Sequence, residues 1–157
     1  MPENPHIIAA LVGLLGLGSP VQARIPGGAD PVPALLRLDV RFSDFRLIDL
    51  DGKGPSVGDQ TLFDDALYDG ERRVGYDGGF CTITRAEAKG PDPLRLVCVA
   101  TFVLPGGQIA AQGLTTDAPD KVLAIIGGTG RYAGTRGQVT LVEFGNGRGR
   151  VTFQFQR

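Results

Sequence analysis

From Leu35 onward the chain is a succession of strand-length segments in which aliphatic or aromatic residues alternate with polar ones. They read "LLRLDVRFSDFRLIDL", "QTLFDDALYD", "RRVGYDGGFCTITRAEA", "LRLVCVATFVL", "GQIAAQGLTTD", "KVLAIIGG", "RGQVTLVEF" and "RGRVTFQFQ". Alternation with period two gives a strand one apolar face, and no window carries the helical period. Between the segments stand "DGKGPSVGD", "DGE", "KGPDP", "LPGG", "DAPD", "GGTGRYAG" and "GNGRG", combinations that reverse antiparallel strands. About eight short strands with no intervening helix predict an all-β fold, either an antiparallel sandwich or a closed barrel, and closure removes the sticky edges. The 24 glycines and 11 prolines follow no fixed period, which fits many tight turns and not a collagen-like chain. With 157 residues, one domain with a real core is expected.

The stretch "AIIGGTGRYAGTRGQVTL", from Ala124 to Leu141, has the look of a phosphate-cradling loop. Such a loop needs a strand, then glycines, then a helix whose amino end faces the phosphates, and the P-loop form also needs Lys followed by Ser or Thr. Here no such Lys is present and the glycines lead into the strand-like "QVTLVEF", so they are turn and bulge positions. A net charge of −1 without a Lys/Arg cluster argues against nucleic acid and against an anionic membrane surface.

The run "IIAALVGLLGLG" followed by "SPVQA" reads as a secretory signal over residues 1–23, with 24–32 a flexible lead-in and 33–157 the folded domain. It is too short for a stable membrane span. The leading "MPENPH" carries Glu3 and no Lys or Arg, so a disordered or packed apolar arm is the other reading. Cleavage implies a secreted or periplasmic protein, and its absence a cytoplasmic one. The single histidine, His6, falls in this leader, which removes a Ser-His triad and a His-bound metal from the folded domain. Cys81 and Cys98 lie in neighbouring strands; they form a disulfide if they face the same side at adjacent ladder positions, and otherwise are two packed thiols.

The ordered set "VGDQTLFDDALYDG", "RRVGYDGGFCTIT", "LPGGQIAAQG" and "LAIIGGTGRYAGTRGQVTL", over residues 57–142, resembles the allene oxide cyclase and dirigent superfamily. The resemblance implies an eight-stranded antiparallel β-barrel with a central apolar cavity, a homo-oligomer (dimer or trimer), and no metal or organic cofactor. Members of that superfamily close a fatty-acid epoxide to a cyclopentenone, steer phenolic intermediates or cyclise polyketides. The implied activity is a cofactor-independent cyclase or isomerase that folds a lipophilic or phenolic small molecule inside the barrel. Two alternatives stand beside it: a secreted dirigent-like or lipocalin-like binding protein without turnover, and a barrel filled by its own side chains.

The resemblance also assigns candidate residues. Asp65 in "FDDALYDG" is the leading catalytic acid, and Phe63, one strand period earlier, falls on a cavity Phe. Cys81 in "GGFCTIT" matches a cavity Cys, and Arg136 in "TRGQ" matches the Arg of a dirigent Ala-Arg-Gly segment. Asp44, or Asp39, would substitute for a first-strand Glu that assists epoxide opening. Thr115 stands where the plant cyclases carry a wall Tyr. Tyr132, with Tyr68 and Tyr76, would cap the barrel mouth or sit half-buried in the sheet. Alternation by itself puts Phe63, Asp65 and Leu67 on one face, and an Asp desolvated there would have a raised pKa and could protonate an epoxide, carbonyl or quinone-methide oxygen. Without the resemblance, Asp64 and Asp65 before a turn read as solvated or bonded to backbone.

Overall fold

The computed structural model describes residues 31–43, 45–87 and 94–156. The leader and Asp44 lie outside the described residues. Nine strands follow one another: β1 (Leu35–Arg41), β2 (Arg46–Ile48), β3 (Gln60–Asp69), β4 (Arg72–Ala86), β5 (Leu94–Leu104), β6 (Gly107–Thr116), β7 (Asp120–Gly128), β8 (Arg136–Glu143) and β9 (Arg148–Gln156). A 3-10 turn, Gly130–Tyr132, joins β7 to β8. Each strand from β3 to β9 pairs with the next, β9 pairs with β1, and β1 returns to β3, so eight strands close an antiparallel barrel. No helix among the described residues is long and apolar enough to cross a membrane.

Alternation accounts for which side chains fill the barrel. In β5 every second residue, Leu96, Cys98, Ala100, Phe102 and Leu104, is buried, and Leu38 and Val40 of β1 and Val151 and Phe153 of β9 follow the same rule. Apolar burial of this kind is the main favourable contribution to folding. Outward residues such as Phe80, Leu114 and Val122 remain exposed.

One strand expected over residues 35–50 is two. β1 pairs Asp39–Arg41 with Ala66–Tyr68 of β3, whereas β2 pairs Arg46–Ile48 with Gln60–Leu62, and the two ladders are out of step by one residue. The slip falls between Arg41 and Arg46, the ends of the two ladders, and leaves Phe63–Asp65 of β3 without a ladder partner on that side. The main-chain amide of Ser43 turns instead to the side chain of Asp65.

The two ends of the barrel differ. At one end the β5–β6 turn and the β7–β8 loop interlock: the Arg131 amide donates to the Gly106 carbonyl (2.8 Å) and the Thr129 amide to the Gln108 carbonyl (2.9 Å). Gly130 has φ +59° and a Cβ there would collide with the Gly106 carbonyl, so this glycine is required by both conformation and space. The buried Tyr132 ring stacks on Phe155, Phe155 on Phe153, and Phe153 meets Phe102 edge-to-face at 4.9 Å. This aromatic stack forms a floor. The opposite end, bordered by the β6–β7 and β8–β9 loops and by Phe42, Ser43, Phe45 and Leu47, opens into a cavity.

Candidate active site

The cavity measures about 680 Å³, within the range of small-molecule sites, and its wall is mainly aliphatic and aromatic, including Phe42, Phe63, Leu96, Phe102, Leu123 and Val139. A barrel filled by its own side chains is thereby set aside for this half of the molecule. Phe63, Asp65 and Leu67 share the inward face of β3, as alternation requires; Phe63 and Asp65 line the cavity and Leu67 is fully buried. Room for the Phe63 ring comes from its cross-strand partner Gly79, where a Cβ would lie 2.7 Å from the ring's Cζ.

Asp65 does not face the cavity alone. Its direct cross-strand partner is Asp77 of β4, whose other neighbour across the sheet is Phe102 of β5. Both carboxyls line the cavity and both are buried, Asp65 at 7% and Asp77 at 5% exposure. Burial pushes the Asp77 carboxyl up to about 7, and the negative charge of Asp65 beside it adds to the rise. Burial also raises Asp65; the amide and hydroxyl of Ser43 oppose that, while Asp64 and Glu143 reinforce it. The Ser43 amide donates to Asp65 Oδ1 at 2.8 Å, whereas Asp77 Oδ1 is buried with no hydrogen-bond partner. Two adjacent carboxyls in an apolar site share protons as a unit, one ready to donate and the other to accept.

Ser43 also donates its hydroxyl to the Asp64 carbonyl at 2.6 Å, tying the broken strand to β3 beside the acid pair. Ser43→Ala is expected to destabilise the fold by about 1 kcal/mol and to raise the Asp65 pKa further, because a bond to the ionised form is lost. Denaturant unfolding and a carboxyl NMR titration read the two effects; an unmoved Asp65 titration would contradict this placement of the hydroxyl.

The remaining candidates separate. Cys81 lies on the cavity wall, but it is bonded to Cys98, directly opposite on β5, so of the two readings left open the disulfide is the one found and no thiol faces the cavity. Arg136 begins β8 at the floor end with its side chain exposed, away from the cavity. Tyr132 belongs to the floor and does not cap the mouth. Tyr68 lies beneath the Arg41 guanidinium at 3.8 Å, and Tyr76 points outward, 47% exposed. Thr115, paired with Leu96, is outside the lining, while its neighbour Thr116 is within it. Asp39 is engaged by Arg150 on the surface at 3.1 Å.

Asp77 is the member that sequence reasoning missed. A usable signal was present: Asp77 stands four residues before Cys81 on the same strand, so any alternation that turns Cys81 inward turns Asp77 inward as well. At the mouth, Lys121 is held by Glu143 at 2.6 Å and by the Ala118 carbonyl at 2.9 Å. Among the described residues, no group of three or more His, Cys, Asp or Glu is arranged to hold a metal ion.

A closed antiparallel barrel, open at one end, with an acid pair inside an oily cavity, defines a class of small-molecule barrel proteins. The chain belongs to the allene oxide cyclase barrel like domain family, which it matches over residues 41–153. No curated protein sequence matches it. Among solved structures it is similar to a pyocyanin demethylase, at 32% identity and a TM-score of 0.70, over 78% of this chain and 99% of that one. It is also similar to the Diels-Alderase AbmU from Streptomyces koyangensis, at 16% identity and a TM-score of 0.63, over 78% of this chain and 64% of that one. A third is a pterocarpan synthase dirigent protein, at 19% identity and a TM-score of 0.55, over 77% of this chain and 86% of that one. The last two likenesses are of fold alone.

Proposed function

We propose that the chain is an enzyme that holds an apolar, conjugated small molecule in the cavity and rearranges or cyclises it by proton transfer through Asp65 and Asp77. The observation that carries this reading is the buried carboxyl pair in an otherwise apolar chamber. Asp77, pushed up to about 7 and so carrying a proton in part of the molecules near neutral pH, is the acid toward a substrate oxygen or nitrogen, and Asp65, held by Ser43, is the base. The wall of Phe63 and Phe102 keeps the reacting atoms close and aligned, which supplies much of the acceleration in an intramolecular ring closure. A cyclase that catalyses a [4 + 2] cycloaddition and two Diels-Alderases, one of them intermolecular, share the fold and support ring formation as the reaction class, though a cycloaddition itself moves no proton. A second reading rests on the 32% identity to a pyocyanin demethylase: the substrate is a flat, oxidised nitrogen heteroaromatic whose N-methyl carbon leaves as formaldehyde, water supplying the oxygen and the ring itself taking up the two electrons, so that reoxidation in air leaves it lighter by one methylene.

The test incubates purified protein with a small-molecule extract of its host in deuterated buffer, followed by mass spectrometry. Cyclisation or isomerisation yields a species of unchanged composition with new retention and solvent deuterium, formed about a hundredfold more slowly by Asp65→Asn. A product lighter by one methylene replaces the first reading with the second. An extract left unchanged by the wild-type protein overturns both.

A further inference from the structure

We propose that the cavity selects an apolar ligand bearing a cationic nitrogen, with an N–H set on the Asp77 carboxyl, and that it rejects carboxylates. This deepens the reading above and rests on it for the cavity being the ligand site. The argument is one of charge and of hydrogen bonds left to make.

Among the described residues that line the cavity, the acids are Asp65 on β3, Asp77 on β4, Asp117 after β6 and Glu143 on β8; the one base is Lys121 on β7. Lys121 and Glu143 offset each other as an ion pair, and Lys121 also donates to the Ala118 carbonyl, which leaves Asp65, Asp77 and Asp117 with no basic partner among the described lining residues. An anionic ligand would therefore enter a low-dielectric space with like charges around it and no counter-charge, which is the costly arrangement. A cation meets the reverse. Asp65 Oδ1 already accepts from Ser43, whereas Asp77 lines the cavity with its Oδ1 buried and unpartnered, so a small turn of this carboxyl brings an acceptor with a bond still to make to a ligand N–H. A charge-assisted N–H bond to a desolvated carboxylate is among the stronger hydrogen bonds. Phe102, the cross-strand neighbour of Asp77, and Phe63, on the neighbouring strand, offer ring surface to the same cation.

Three tricyclic probes of nearly equal shape test this: 9-aminoacridine, a cation at about pH 8; acridine, neutral there; and acridine-9-carboxylate, an anion. Titration calorimetry of the full-length protein is expected to show the cation binding at least about tenfold more tightly than the neutral ring, with the carboxylate weakest. Asp77→Asn is expected to erase most of the gap between cation and neutral ring while leaving acridine itself bound. Equal binding of all three, or tighter binding of the carboxylate, overturns the selectivity and leaves the cavity as the ligand site. Failure of every tricycle to bind overturns the selectivity and the cavity reading together.

Discussion

Asp77→Asn is expected to stabilise the protein by on the order of 4 kcal/mol above about pH 7 and to change little below about pH 4. The sign follows from linkage. A carboxyl whose pKa rises from 3.8 unfolded to about 7 folded holds a proton in the native state that the unfolded chain has released, so stability is full below the unfolded value and is lost as pH rises through the folded one. Asparagine keeps the shape, cannot ionise, and can donate its amide toward Asp65. Urea midpoints measured from pH 4 to pH 8 should fall for the wild type and run nearly flat for the variant. Parallel curves would mean that Asp77 is hydrated and that the acid pair is not the unit described above. The gain in stability together with loss of turnover is what a functional group held in an unfavourable setting should show.

Reduction of the Cys81–Cys98 bond is expected to lower stability by about 3 kcal/mol, because a bridge spanning 17 residues restricts the unfolded chain by roughly that amount. The bond joins the middles of β4 and β5 and forms part of the cavity wall, so its loss loosens the chamber as well as the fold. Unfolding with and without a phosphine reductant reads the effect. The Cys81→Ala/Cys98→Ala double variant should sit at the reduced midpoint and ignore the reductant; a wild-type midpoint that does not move would show the cysteines to be unpaired in solution.

The antiparallel all-β chain was legible because each segment both alternates and ends in residues that favour turns, whereas closure into an eight-stranded barrel over a sandwich was legible only through the family resemblance. The break in the first segment was missed, although a sign of it stands in the residues: the apolar positions run 36, 38, 40 and 42 and then 45 and 47, a change of parity that marks the one-residue slip. Phe63 and Asp65 were readable by the same alternation. Asp77 was hidden by a bulge. From the hairpin end, Asp69 faces Arg72 and Tyr68 faces Arg73; continued without a slip, that register would oppose Asp65 to Tyr76, and the irregularity at Leu67/Tyr68 brings Asp77 there instead. The glycine-rich segment around Tyr132 and Arg136 drew attention as a family signature. Its reason is architectural, since Gly130 and its neighbours lock the floor, and motif matching alone does not separate a structural signature from a chemical one.

The aromatic stack that seals one end makes the chamber a dead-end street. Any molecule held against Asp77 has to back out past Lys121 and Glu143, the route by which it came in, so nothing can follow until the first guest has gone.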